Sequence, residues 1–169
     1  MHREISKGSL KTITISRTPT GKYDISFLTN DGEKLPEKQD FSHATLIGID
    51  VGVTTFATLS TGEKIDNPKF LKNSLERLKC LQRRVSKKVK GSKNRRKAVY
   101  KLTKIHEKIS NQRHDFQHKV SNRLISENQA IAVETLNIKG LKKNHKLAQV
   151  ISDSAWYSFV LKLTYKADG

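Results

Sequence analysis

Cysteine is almost missing from the 169-residue sequence: Cys80 stands alone. That excludes an internal disulfide and any cysteine-built zinc site within the chain, so no zinc is expected here. No apolar run approaches the roughly 18 residues that a membrane-spanning helix needs. The opening MHREISKGSL lacks the apolar core of a secretory signal, so a cytoplasmic, nucleoid-associated location is expected. Acid is the other scarcity. Asp and Glu number 16 against 33 Lys and Arg, a net charge of +17, while hydrophobic residues make up only 35%. A surface this positive repels itself unless a polyanion neutralises it, and the common soluble polyanions are DNA and RNA. The length suits one core with a small appendage.

What is present falls into blocks. LKTITISRTPTGKYDISFLT, residues 10–29, holds two alternating runs around a Pro- and Gly-containing break, which predicts a β-hairpin. Residues 30–43 are polar, contain Pro36 and read as a linker. Three strands are then expected, over 45–51, 53–60 and 63–66, with a tight turn at STGE. From Phe70 the period changes. Leu71, Leu75, Leu78, Leu81, Val85 and Val89 line one helical face, and Val99, Leu102, Ile105, Ile109, Phe116, Val120 and Leu124 line a second. Joined across KGSK, they predict an antiparallel helical hairpin over 70–127. AIAVETLNI, 130–138, reads as a further strand. SDS, 152–154, supplies N-cap residue types for a last helix through Trp156, Phe159, Val160 and Leu163. The order is that of a mixed α/β fold.

The helical hairpin carries most of the charge: residues 69–123 contain 19 Lys and Arg against three acids. The expected nucleic-acid contacts are Arg83, Arg84, Lys87, Lys88, Lys90, Lys93, Arg95, Arg96, Lys97, Lys101, Lys104 and Arg113, extended past the second helix by Lys142 and Lys143. A solvated helix face normally mixes signs to form i,i+4 pairs, and this one barely does. Such contacts hold phosphates and do not read bases.

Two apolar strands each carry a carboxylate, Asp50 at the end of LIGID and Glu134 at the end of AIAVE. A charge on a buried strand costs several kcal/mol unless something pairs with it. If the two strands lie side by side and parallel, both carboxylates emerge at one rim of the sheet, within reach of a shared Mg²⁺, which prefers oxygen ligands. A loop cap or a pairing with Arg explains either residue alone equally well.

GIDVGVTTFATLSTGEKI, the basic RRVSKKVKGSKNRRKAVYKLTKIHEKISNQRHDFQHKVSNRLI, IAVETLNIKGL and ISDSAWYSFVLKLTYKA, in that order, resemble the RuvC-like region of the TnpB (OrfB) proteins encoded by transposons. The resemblance covers nearly the whole chain. It implies an RNase H-like (RuvC) mixed sheet over 44–169, incomplete, with the helical hairpin inserted, and residues 1–43 as the end of a wedge-like β-barrel plus linker. It implies RNA-guided, Mg²⁺-dependent DNA cleavage, with Asp50 and Glu134 as the first and second catalytic carboxylates and metal ligands, and with DNA and guide RNA as partners. Members of the family also carry an N-terminal recognition domain, a zinc ribbon and a third catalytic Asp. None of these is in the sequence, and neither Asp153 nor Asp168 occupies the third position. The expectation is therefore a truncated endonuclease that keeps nucleic-acid binding, with a non-catalytic nucleic-acid-binding protein or regulator as the alternative.

Other residues have plainer readings. His114 and His118 in HDFQH approach the HExxH zinc pattern, but Asp115 replaces the required Glu, so a structural role is expected. Cys80 is expected to be buried beside the apolar stripe, and Trp156, Phe159 and Tyr165 to lie in the core. Lys139, Lys142, Lys143 and Lys146 extend the positive surface beside Glu134.

Overall fold

The computed structural model describes residues 9–30, 32, 46–134 and 145–167. The expected linker, Lys139, Lys142 and Lys143, residues 135–138 of the sixth-strand segment and Asp168 lie outside the described residues, as does the side chain of Lys146.

Strands β1 (Ser9–Arg17) and β2 (Tyr23–Asn30) form an antiparallel ribbon with Ile13 opposite Phe27 and Ile15 opposite Ile25. The turn closes through the Thr18 N–H to the Lys22 carbonyl (2.8 Å), with Gly21 at φ 88°, a conformation that favours glycine. Four further strands make the main sheet: β3 (Leu46–Val51), β4 (Thr55–Leu59), β5 (Lys64–Asp66) and β6 (Ala130–Val133), in spatial order β5-β4-β3-β6. The first three form an antiparallel meander with the expected turn after Leu59, and β6 joins β3 in parallel. A parallel neighbour requires a crossover connection. Helices α1 (Phe70–Ser86) and α2 (Lys93–Glu127) supply it.

One face of the sheet is covered. Ile47, Ile49 and Val51 of β3 alternate inward and join Phe56, Ala57 and Leu59 of β4 against Val120 and Leu124 of α2 and Trp156, Phe159 and Leu163. Phe56 is the hub, with its ring 5.0 Å from both Phe116 and Phe159 in edge-to-face contact, a geometry favoured by the ring quadrupoles. The buried residues of α2 all lie from Ile109 onward. With 35 residues the helix is about 52 Å long, so its first half extends with α1 as an arm. Ser92 starts it, its hydroxyl accepting from the Arg95 N–H at 3.1 Å.

Several expectations are corrected. The last helical segment is two helices, α3 (His145–Ser154) and α4 (Trp156–Ala167), separated by Ala155 at φ 50°. The SDS residues close the first of them instead of capping the second. Cys80 and Tyr165 are exposed, and Val89 is 78% exposed because it has passed beyond the stripe into the interhelical turn.

Candidate metal centre and nucleic-acid interface

The carboxylate on β3 is not buried. Among the described residues the strand is covered on one face only, and period-2 alternation sends Ile49 and Val51 into the core while Gly48 and Asp50 face the other way. Ile49 pairs with Val133 of β6, so one step further along both strands Asp50 and Glu134 come into register on the uncovered face. Neighbouring strands lie about 4.8 Å apart. Both carboxylates line one open hollow of about 370 Å³, together with Gly48, Thr58, Ser60 and Ala132. Thr58 sits directly across from Asp50 on β4, and the Ser60 hydroxyl accepts from the Gly48 N–H at 3.0 Å. The side chains around the pair are small or oxygen-bearing, which leaves space over them.

The turn after Asp50 is sterically fixed. The Gly52 N–H donates to the Phe56 carbonyl at 3.1 Å, and a Cβ at position 52 would lie 2.8 Å from the Thr55 carbonyl oxygen. Glycine therefore sets the path on which β3 ends beside the acidic pair.

Two like charges with all-oxygen donors and open access suit a hard divalent cation. Mg²⁺ is commonly held by one or two carboxylates while it keeps several waters. Among the described residues, no group of three His, Cys, Asp or Glu side chains is placed to hold a metal ion. Burial and the nearby Lys162 and Lys166 ammonium groups push both His114 and His118 below the usual histidine range, and the two rings stand 6.4 Å apart.

On the arm, Arg83, Arg84, Lys87, Lys88, Lys90, Lys93, Arg96, Lys97, Lys101 and Lys104 are all exposed. The three acids of the arm are each matched to a lysine: Glu76 to Lys79 (2.9 Å), Glu107 to Lys22 (2.8 Å) and Asp115 to Lys119 (2.8 Å). None of these pairs uses the cations of residues 83–104. Two of the expected contacts also bond within the fold. Arg95 turns inward to donate to the Val85 carbonyl at 3.3 Å. Arg113 pairs with Asp153 at 3.0 Å with its side chain 22% exposed, because Asp153 is buried and needs a cation.

A polar seam between α2 and α4 was not anticipated. Lys162, 5% exposed, donates to Gln117 Oε1 (3.2 Å) and Ser158 Oγ (2.8 Å), and Gln117 in turn donates to the Ser154 and Ala155 carbonyls (3.1 Å each). Its one sequence signal is that position 162 falls on the same helical face as Phe159 and Leu163. Burial pushes the Lys162 ammonium below the usual lysine range. The unfolded chain then keeps a proton that the folded chain has already lost, so stability rises with pH between that lowered value and about 10.4. Urea midpoints should climb over this interval in the wild type, and Lys162→Met should show a smaller climb.

Fold and site together define a mixed α/β protein with an acidic pair on the open face of its sheet and a cationic helical arm. Residues 28–145 match the OrfB_IS605 family, described as "Probable transposase", and the chain belongs to that family. It is 44% identical over 155 residues to a protein of Streptomyces pristinaespiralis named "Putative RNA-guided DNA endonuclease", a match covering 92% of this chain and 38% of the relative. It is 30% identical over 174 residues to InsQ of Escherichia coli (strain K12), which carries the same description, covering 94% of this chain and 42% of that protein. The chain thus spans about two fifths of the length of these curated relatives. Among the described residues no helix is long and apolar enough to cross a membrane.

Proposed function

We propose that this chain forms the acidic centre and the nucleic-acid arm of an RNA-guided DNA endonuclease, on a RuvC-like sheet. The ribbon β1–β2 belongs to a wedge-like element ahead of that sheet. The observation that supports the reading is the parallel β3–β6 pairing, with Asp50 and Glu134 lining one open hollow at the ends of those strands. Asp50 and Glu134 would hold Mg²⁺. The ion, when bound, supplies stabilisation of attacking and leaving oxygens in phosphodiester cleavage. The chain's own part is to hold the phosphate backbone with the arm and to present two carboxylates at an open face. The test is nicking of plasmid DNA by the protein purified with the RNA it retains, in Mg²⁺. Asp50→Ala and Glu134→Ala should each reduce nicking at least a hundredfold, and cleavage untouched by both removes the reading.

The presence of only two grouped carboxylates among the described residues favours a second reading, a nucleic-acid-binding protein that does not cut. Binding with no Mg²⁺-dependent nicking would select it. In either case the arm governs affinity. If it neutralises about six phosphates of a duplex, log K falls with log salt with a slope near −5, a loss of roughly 10³ between 50 and 200 mM. Replacing Arg83, Arg84, Lys87 and Lys88 together by Ala should flatten that slope by about 3 to 4 units, read by fluorescence anisotropy across a salt series.

A further inference from the structure

The turn of the β1–β2 ribbon and the first three turns of α2 enclose a second hollow, of about 380 Å³, whose walls include Pro19, Ser92, Arg96, Val99, Tyr100 and Thr103. Helix positions 96, 99, 100 and 103 share one face, and the ribbon is anchored against it by the Lys22–Glu107 ion pair at 2.8 Å. The Lys22 hydrogen bond holds the Glu107 carboxyl below the usual range, so that acid is engaged by the ribbon. Val99 and Tyr100 remain 40% and 43% exposed, and the Lys104 ammonium lies 4.9 Å from the centre of the Tyr100 ring. The Thr103 hydroxyl donates to the Val99 carbonyl at 3.0 Å and keeps its lone pairs as acceptors.

An apolar floor with one aromatic ring, set in the most cationic stretch of the surface, suits a ligand that is flat and apolar at one end and anionic at the other. A hollow of this volume is at the small end of ligand sites. A base pair inside a duplex cannot present its ring face, whereas an unpaired nucleotide can lay its base on an aromatic side chain and its phosphate on an adjacent Arg or Lys. We propose that this cleft takes up an unpaired nucleotide, the base against Tyr100 and Val99 and the phosphate against Arg96 and Lys104. The proposal rests on the nucleic-acid reading of the arm and adds a place where single strands are told from duplexes.

The test measures anisotropy of a labelled 12-nucleotide single-stranded RNA, the DNA of the same sequence and the corresponding DNA duplex, on the full chain. Tyr100→Ala should weaken the single strands roughly tenfold, in the range found for one base stacked on one aromatic ring. It should change duplex affinity less than about twofold, and Tyr100→Phe should restore single-strand binding. A loss on RNA alone assigns the nucleotide to RNA, and a loss on both strands leaves the site open to either source. Equal losses on single strands and duplex, no loss at all, or a Phe variant as weak as Ala would overturn the cleft while the arm reading stands. A wild-type chain that binds none of the three probes would sink both.

Discussion

Asp50→Asn is expected to remove the response of the protein to divalent cations while leaving its fold intact. The wild type should melt higher in Mg²⁺ than in chelator: at ten times the dissociation constant, linkage gives about 1.4 kcal/mol, or roughly 3–6 °C for a domain of this size. Asn keeps the shape and one carbonyl oxygen of Asp but loses the charge that draws the cation, so the Mg²⁺ increment should vanish. In chelator the variant should melt within about 2 °C of the wild type. The reason is geometric. Asp50 is exposed on the uncovered face of β3, so the metal-free protein loses no buried contact, and it sheds the repulsion from Glu134 across the β3–β6 pair. A side chain that capped a loop would behave in the opposite way, costing stability in chelator and leaving the Mg²⁺ increment unchanged. Nicking activity should fall with the Mg²⁺ response, and an identical response of wild type and variant would remove Asp50 from the metal centre.

The parts of the fold that could be read from the sequence are those whose signals are local. The ribbon, the meander and the helical hairpin follow from alternation, turn residues and 3.6-residue stripes, and their observed bounds differ little from those expected. The parallel placement of β3 and β6 was a conditional expectation, and the structure contains it. What periodicity does not reveal is which elements a stripe finds to cover it. The stripe of α2 continues through Val99, yet only its second half reaches the sheet, so Val99 stays 40% exposed. The cost of a charge in an apolar strand also disappears, since β3 is buried on one face and Asp50 is on the other. The break at Ala155 was illegible because alanine rarely takes positive φ. Lys162 and Gln117 were illegible because neither residue type, alone in a helix, announces a partner on another helix.

Asp153 is the clearest long-range case, and Asp153→Ala should be the most destabilising polar substitution in the chain. The carboxylate sits on α3 and is 7% exposed. It accepts from the backbone N–H of Leu71 (3.1 Å to each oxygen), more weakly from that of Lys72 (3.4 Å), and from Arg113 Nη2 (3.0 Å). Helix α1 has no acidic residue in its first turn and no side-chain cap of its own, and Lys69 at its N-cap is left-handed at φ 49°. An acid more than eighty residues away in sequence therefore satisfies the helix end and complements its dipole. Truncation would leave those N–H groups unmet and Arg113 half-buried without its counter-ion. Breaking a buried pair in this way costs about 3–5 kcal/mol. The partial exposure of Arg113 puts the expectation near the lower figure, roughly 6–12 °C in melting temperature by circular dichroism. Asp153→Asn, which still accepts from the backbone but loses the charge, should fall between the two. Asp153→Ala combined with Arg113→Met should recover part of the loss, because the stranded cation is gone. Helix α2 runs unbroken from the arm into the core, and Asp153 ties the start of α1 to it through Arg113. At temperatures where Asp153→Asn remains folded, its duplex affinity should keep the wild-type salt slope, because no cation of the tip has been removed. A melting temperature for Asp153→Ala within about 2 °C of the wild type would show that the helix end is satisfied by water and that the arm is held by its apolar contacts alone.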